Sequence, residues 1–292
     1  MSASDWGQLL LLGLLWGGSF FFARIAVAEI PPLALVFYRV TIAALVLHLW
    51  LRMRRISFSP VLARPGSFLV LALLNNVIPF SLIFTGQTEV GAGLASVFYA
   101  TTPLWTILVA NLLTADEKLT ATRLGGVGLG LVGAAVMVGP GLQSSMGGPV
   151  WAKLAIVGAA VSYAFAVVYA KRFRDIKPSV VATGQLTGAA ALMVPIVLWL
   201  HEPRDLVTAS FPIWMTVLAL AVFTTAFAFI LYFNLIASVG ATNASLVTLL
   251  VPVSAILLGA LFLGERLEPL EYAGVALILA SLVIIDGRLF RR

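Results

Sequence analysis

Apolar residues gather into long runs separated by short polar or charged breaks, and the runs recur along the whole chain. Ten can be read, at about 7–26, 33–51, 67–86, 92–113, 121–139, 150–170, 180–200, 212–236, 242–263 and 269–287. Runs of about 20 residues are what an α-helix needs to cross a hydrocarbon core roughly 30 Å thick. Most boundaries carry Pro, Gly or charge, as at Pro31-Pro32, Arg52 to Arg55, Pro140-Gly141 and Glu202-Pro203-Arg204. The longest polar stretch, Gln143 to Gly148, is short and uncharged, so no soluble domain is hidden between the runs. Ala26-Val27-Ala28 resembles a cleavage site. The residues before the first run lack positive charge, however, so retention as a first span is expected.

The pattern is also written twice. Val90 to Leu113 aligns with Val239 to Phe262 at a constant offset of 149, with nine of 24 positions identical. Chance would give roughly one match in ten in a chain of this composition. After a one-residue slip, Glu117-Lys118-Leu119 faces Glu265-Arg266-Leu267. Each copy holds five spans, an odd number, so the second must enter the membrane upside down. The expected fold is an all-α membrane protein, with ten transmembrane helices arranged as two inverted five-helix repeats around a central cavity. The first repeat covers 1–140, the second 149–292, and 141–148 forms a short linker. Such symmetry suits alternating access, because exchanging the conformations of the halves turns an outward-facing shape inward. A channel-like pathway for small solutes is the alternative.

Composition agrees with a membrane setting: 61% of residues are hydrophobic, only 10% are charged, and the mean hydropathy is +1.06. With no cysteine, disulfides and thiolate metal sites are excluded. The formal charge of +6 has its origin in topology. With the N-terminus inside, cytoplasmic segments hold thirteen Lys and Arg and the outer connections four, which puts both termini in the cytoplasm. Nothing remains to indicate nucleic acid. An intramembrane enzyme would need a His-Glu-x-x-His helix, an aspartate pair within the spans or a nucleophile beside a base. Two distant His, no Cys and no mid-span acid supply none of these. No cofactor or metal is expected.

The first span reads Leu14-Leu15-Trp16-Gly17-Gly18-Ser19-Phe20, followed by Pro32 and then Arg39. The fourth opens Ala95-Ser96 with Pro103 and ends in Asp116-Glu117-Lys118-Leu119, and the ninth repeats this as Ala244-Ser245, Pro252 and Gly264-Glu265-Arg266-Leu267. The whole chain resembles the ten-span EamA-type branch of the drug/metabolite transporter superfamily. Within it the chain is most similar to bacterial inner-membrane exporters of aromatic amino acids. That resemblance implies a cavity lined by spans 1, 3, 4, 6, 8 and 9, with spans 5 and 10 used for packing or dimer contacts. It implies amino acids or similar metabolites as substrate, export by alternating access from the inner membrane, and a monomer or homodimer in the lipid bilayer. Other small drugs or metabolites are the alternative cargo. The second copy lacks the Trp-Gly and Arg; Tyr163-Ala164 and Gln185 stand there.

Candidate substrate-binding residues are the polar and aromatic side chains of these spans. In span 3, Asn75 and Asn76 stand beside Pro79 and Phe80. Amides in hydrocarbon need partners, so the pair either binds substrate or knits helices together. Ser96, Tyr99, Thr102 and Pro103 fall on one face of span 4, matched by Ser245, Thr248, Val251 and Pro252 in span 9. Pro79, Pro103 and Pro252 are expected to kink their spans and shape a gate, because proline leaves a carbonyl without its donor. Among the aromatics, Trp16, Phe80, Tyr99 and Tyr163 are the candidates, although any single aromatic can equally face lipid. All twelve carboxylates lie at span ends or in connections, so no mid-membrane carboxylate serves ion coupling. Arg39 could meet a substrate carboxylate. Its place a third of the way into span 2 favours snorkelling or capping carbonyls at the outer end.

Overall fold

The computed structural model describes residues 2–113, 121–138, 148–202, 208–244 and 247–286, and among them every regular element is helical. The first copy holds α1 (Ala3–Ala26), α2 (Pro32–Met53), α3 (Pro65–Gly86), α4 (Ala92–Leu113) and α5 (Ala121–Val138). The second holds α6 (Val150–Ala170), α7 (Pro178–Leu200), α8, α9 (Val247–Phe262) and α10 (Pro269–Asp286). Helix α8 is built of three pieces, Phe211–Ala221, Val222–Phe227 and Ala228–Ala244. Among the described residues, seven helices, α1–α4 and α6–α8, are long and apolar enough to cross a membrane; the apolar stretches of the other three are shorter. This is an all-α membrane protein. The duplicated turn Asp116–Leu119 and all of the linker except Gly148 lie outside the described residues.

Helix starts follow local chemistry. Ser2 and Asp5 form a capping box on α1, with Ser2 N donating to Asp5 Oδ2 at 2.7 Å. Proline opens α2, α3 and α7, where its missing N–H costs nothing. Chain reversals then gather at two ends of the bundle. At one end Arg24 donates to the carbonyls of Gln87 and Thr88, Ser210 binds Glu29, and Glu265 reaches the first turn of α4. At the other, Arg64 pairs with Asp175 at 2.7 Å. That exposed pair holds the Asp175 carboxyl below its ordinary range, chiefly through the hydrogen bond from Arg64. Helix α1 therefore runs toward the first end and α6 away from it.

The helix neighbours map onto themselves when the copies are exchanged. Helix α1 packs on α8 and α9 and α6 on α3 and α4, while α2 meets α7, α4 meets α9 and α5 meets α10. In lipid, apolar burial does not drive helices together, so close contact depends on small residues. Ser254 of α9 donates to the Gly13 carbonyl of α1 at 2.7 Å. A Cβ on Gly17 would overlap the Ser254 hydroxyl and sit 2.8 Å from the Val251 carbonyl oxygen. The Gly13-x-x-x-Gly17 spacing thus lies in the seam between the copies.

Two helices are locally widened to π geometry: Leu73–Val77 in α3 and Val222–Phe227 in α8. They start 149 residues apart, the same offset as the sequence repeat. Pro79 follows the first, but Ala228 occupies the matching place after the second, so proline is not what widens the helix.

Overpacking a well-filled contact costs about 1–3 kcal/mol. Gly17→Ala is therefore expected to lower the thermal unfolding midpoint in detergent by several degrees. Gly66→Ala, at a position with no atom within 4 Å of the added methyl, should leave it unchanged.

Candidate functional site

The helices enclose a cavity of about 1160 Å³. Its walls come from α1, α3, α4, α6, α8 and α9, as expected, and also from α2 and α7, through Arg39, Val181, Ala182 and Gln185. Among the described residues, neither α5 nor α10 contributes. At one end the wall is made by buried Ser19, Phe84 and Gln87; at the other it reaches exposed Arg174 and Pro178 in the α6–α7 connection. The cavity is open at the Arg174 end and shut at the Gln87 end.

Hydrogen bonds both between the copies and within the first lie at the shut end. Glu265, beyond α9, accepts from the backbone N–H groups of Ala92 at 2.8 Å and Gly93 at 3.1 Å. These are among the first, otherwise unpartnered donors of α4, and a carboxylate there also meets the positive end of the helix dipole. Glycine is required alongside: a Cβ on Gly91 would lie 2.7 Å from the Glu265 carboxyl carbon. Below it, Gln87 Nε2 donates to the Phe20 carbonyl at 2.8 Å.

Helix α4 is broken into Ala92–Tyr99 and Thr102–Leu113 by a turn at Ala100-Thr101, just before Pro103. Pro103 cannot donate to the Tyr99 carbonyl four residues earlier. The Thr102 hydroxyl does so instead at 2.6 Å, and Thr101 serves Phe98 at 2.6 Å. The widened turns are satisfied similarly. Ser162 of α6 donates to Leu74 O at 2.7 Å, and Thr224 and Thr225 both donate to Leu220 O. Every deviation from α geometry beside the cavity is thus matched by a nearby hydroxyl.

Of the sequence candidates, Trp16, Asn75, Asn76, Phe80, Tyr99, Tyr163, Thr248 and Pro103 line this one cavity. Pro79 and Pro252 do not; Pro252 stands inside continuous α9, and Ser245 lies outside the described residues. Ser96, the first member of the expected α4 face, is buried off the cavity and donates to the Gly93 carbonyl at 2.6 Å. The two asparagines differ in their surroundings. Asn75 donates to Gln185 of α7 at 2.8 Å and ties helices together. Asn76 is fully buried on the cavity wall, and neither of its amide atoms has a hydrogen-bond partner. The rings of Phe20, Tyr99 and Tyr163 form a chain with centroids 5.5 Å apart at each step, and Trp16 meets Tyr232 at 5.2 Å. Phe223 and Phe227 face outward.

Arg39 requires a correction. It neither snorkels nor caps the ends of the first two helices. It is only 7% exposed and lies over the Phe80 ring, 3.9 Å from guanidinium carbon to centroid, with Nε donating to Thr225 Oγ1 at 3.0 Å. Its depth along α2 was legible; the face of α2 that it occupies was not. The sequence also concealed a buried ion pair, Lys153–Glu271 at 3.7 Å, between the starts of α6 and α10 and away from the cavity. Among the described residues, no carboxylate lines the cavity. Gln185 and Thr225 were missed as lining residues, although the offset of 149 places Thr224-Thr225 opposite Asn75-Asn76.

Comparison with known proteins agrees with this architecture. The chain is 27% identical to an uncharacterized inner membrane transporter, YedA, of Escherichia coli K12 over 284 residues, covering 96% of this chain and 89% of that one. It is 29% identical to protein PagO of Salmonella typhimurium LT2 over 250 residues, 85% and 81% of the two chains. It is 24% identical to a probable amino-acid metabolite efflux pump of the same organism, covering 97% and 95%. A solved crystal structure superimposes over the full length of both chains with a TM-score of 0.70 at 21% identity, a likeness of fold. The EamA-like transporter family matches at residues 6–139 and 150–286, nearly the whole chain. With both halves matched, this chain belongs to the EamA-like transporter family; it is a membrane transporter and not an enzyme.

Proposed function

We propose that the protein carries aromatic and other neutral amino acids outward across a bacterial inner membrane by alternating access. Ten spans would form two inverted repeats. One observation carries this reading: a cavity walled by linked aromatic rings and amides, open at one end and shut at the other by contacts between the copies. A carrier must hold a shut end, whereas a conducting pore needs a continuous path. The inverted arrangement is supported by helix pairings that survive exchange of the copies, and by the opposite directions of α1 and α6. Loop charge supports a cytoplasmic position for the Arg174 mouth, in which case the cavity faces the compartment from which an exporter loads. The inner-membrane location and the cargo draw on relatives named as an inner membrane transporter and as an amino-acid metabolite efflux pump.

An aromatic solute fits the wall chemistry. Flat rings would pack edge-on to Tyr99 and Tyr163, each such contact adding about 0.5–1.5 kcal/mol beyond area burial. In proteoliposomes, unlabelled amino acid on the far side should accelerate uptake of labelled phenylalanine. Tyr99→Ala and Tyr163→Ala should each weaken half-saturation about twofold to tenfold. Flux without trans-stimulation would point to a channel, and unchanged saturation in both variants would remove these rings from the binding site.

The shut end gives a second test. The chain has no cysteine, so Ser19→Cys creates a single thiol on the cavity wall near that end. Hydrogen bonds to a charged group contribute about 1.5–3 kcal/mol each. Adding Glu265→Ala should therefore raise labelling of this thiol by an impermeant maleimide, applied to intact cells, about tenfold or more. An unchanged rate would mean that Glu265 does not hold the end closed.

A further inference from the structure

The charges on the cavity wall are all of one sign. Arg39 lies deep inside, Arg174 stands at the mouth, and no described carboxylate joins them. A cleft lined by a single sign of charge raises the local concentration of the opposite ion. Arg39 is also unlike an ordinary buried cation. Burial of a charge is costly unless a counter-charge meets it, and among the described residues Arg39 forms no ion pair. Its one hydrogen bond uses Nε, to Thr225. The faces of Phe80 and Phe84, 3.9 and 5.6 Å away, favour the cation. Both terminal amino groups, the two prongs that bind a carboxylate in parallel, carry no hydrogen bond among the described residues.

A second polar group points to the same ligand independently. Asn76 lies one turn before Phe80 on α3, fully buried on the cavity wall, with its amide N and O both lacking partners. Buried amides are almost always satisfied, so a ligand is the natural partner. Resting on the carrier reading above but departing from its amino-acid cargo, we propose that Arg39 is the specificity-determining residue that receives a substrate carboxylate, and that the cavity prefers organic monoanions to zwitterions of the same shape, amino acids included. Asn76 hydrogen-bonds the same end of the molecule, and the Tyr99–Tyr163 pair holds its body. An ammonium group finds no anion on the wall to replace its lost water, so a cationic or zwitterionic solute is penalised on entry.

The test needs no variant to begin. Purified full-length protein in detergent is titrated calorimetrically with 3-phenylpropionate, L-phenylalanine and 2-phenylethylamine, which share a ring and differ in charge. A second series, 4-methylpentanoate, L-leucine and isoamylamine, repeats the charges on an aliphatic body. The anion of a series should bind at least tenfold more tightly than its zwitterion, and the amine more weakly still. Arg39→Gln should abolish the anion preference, and Arg39→Lys should restore it in part, since charge returns without the planar fork. A merely structural Arg39 would leave the anion-to-zwitterion ratio intact while affinities fell together, and that result would overturn the proposal. So would equal affinities across charge, or failure of both anions to bind. If only the aliphatic series binds and keeps the order, aromatic cargo is refuted while the role of Arg39 stands.

Discussion

A backbone carbonyl released inside a membrane has no water to accept from, and this constraint organises the centre of the protein. Three helices depart from α geometry beside the cavity: α3 and α8 by widening, α4 by breaking before Pro103. Each departure frees carbonyl groups, and each is answered by a hydroxyl within 2.6–2.8 Å, from Ser162, Thr102 or the Thr224-Thr225 pair. The departures are therefore hydrogen-bonded features of the fold. They shape the cavity wall without exposing unsatisfied backbone to lipid. What would be a fault in a lipid-facing helix becomes a way to point side chains inward.

The same departures connect the two copies. Gln185 of α7 binds Asn75 in the widened turn of α3, and Arg39 of α2 binds Thr225 in the widened turn of α8. Gln185 stands in the second copy where Arg39 stands in the first. The bond is thus made twice, from the second helix of one copy to the third helix of the other, with different chemistry each time. A neutral amide bridge on one side and a charged one on the other leave the scaffold symmetric and the cavity polarised. The two bridges share a position and differ in charge.

Much of this was legible in the chain. Helix positions followed from run lengths, and Pro103 marked the break in α4 because its lost donor must be compensated wherever it falls. Tyr99, Tyr163 and Asn76 stood out as polar atoms in apolar surroundings. What failed was rotational information. Arg39 was placed correctly in depth but assigned to the interface, because hydropathy along a helix that is apolar all round does not say which face a residue occupies. Ser96 shares a helical face with Tyr99 by counting, yet its hydroxyl turns back to the Gly93 carbonyl, a local bond that competes with any ligand. Glu265 read only as half of a duplicated turn, since its partners are main-chain N–H groups that no sequence pattern names.

The paired widened turns also carry history. A π turn is the form that a helix takes when it accommodates one residue more than the regular winding allows. The two stand at the same offset as the repeat, one with proline behind it and one without. Two separate insertions at matching points are a poor account of that coincidence. The simpler account is that the extra residue entered once, in a five-helix ancestor, and was copied when the gene doubled. On that account the widened turn is older than the fused chain, and its shape does not depend on the proline that follows only one of its two copies.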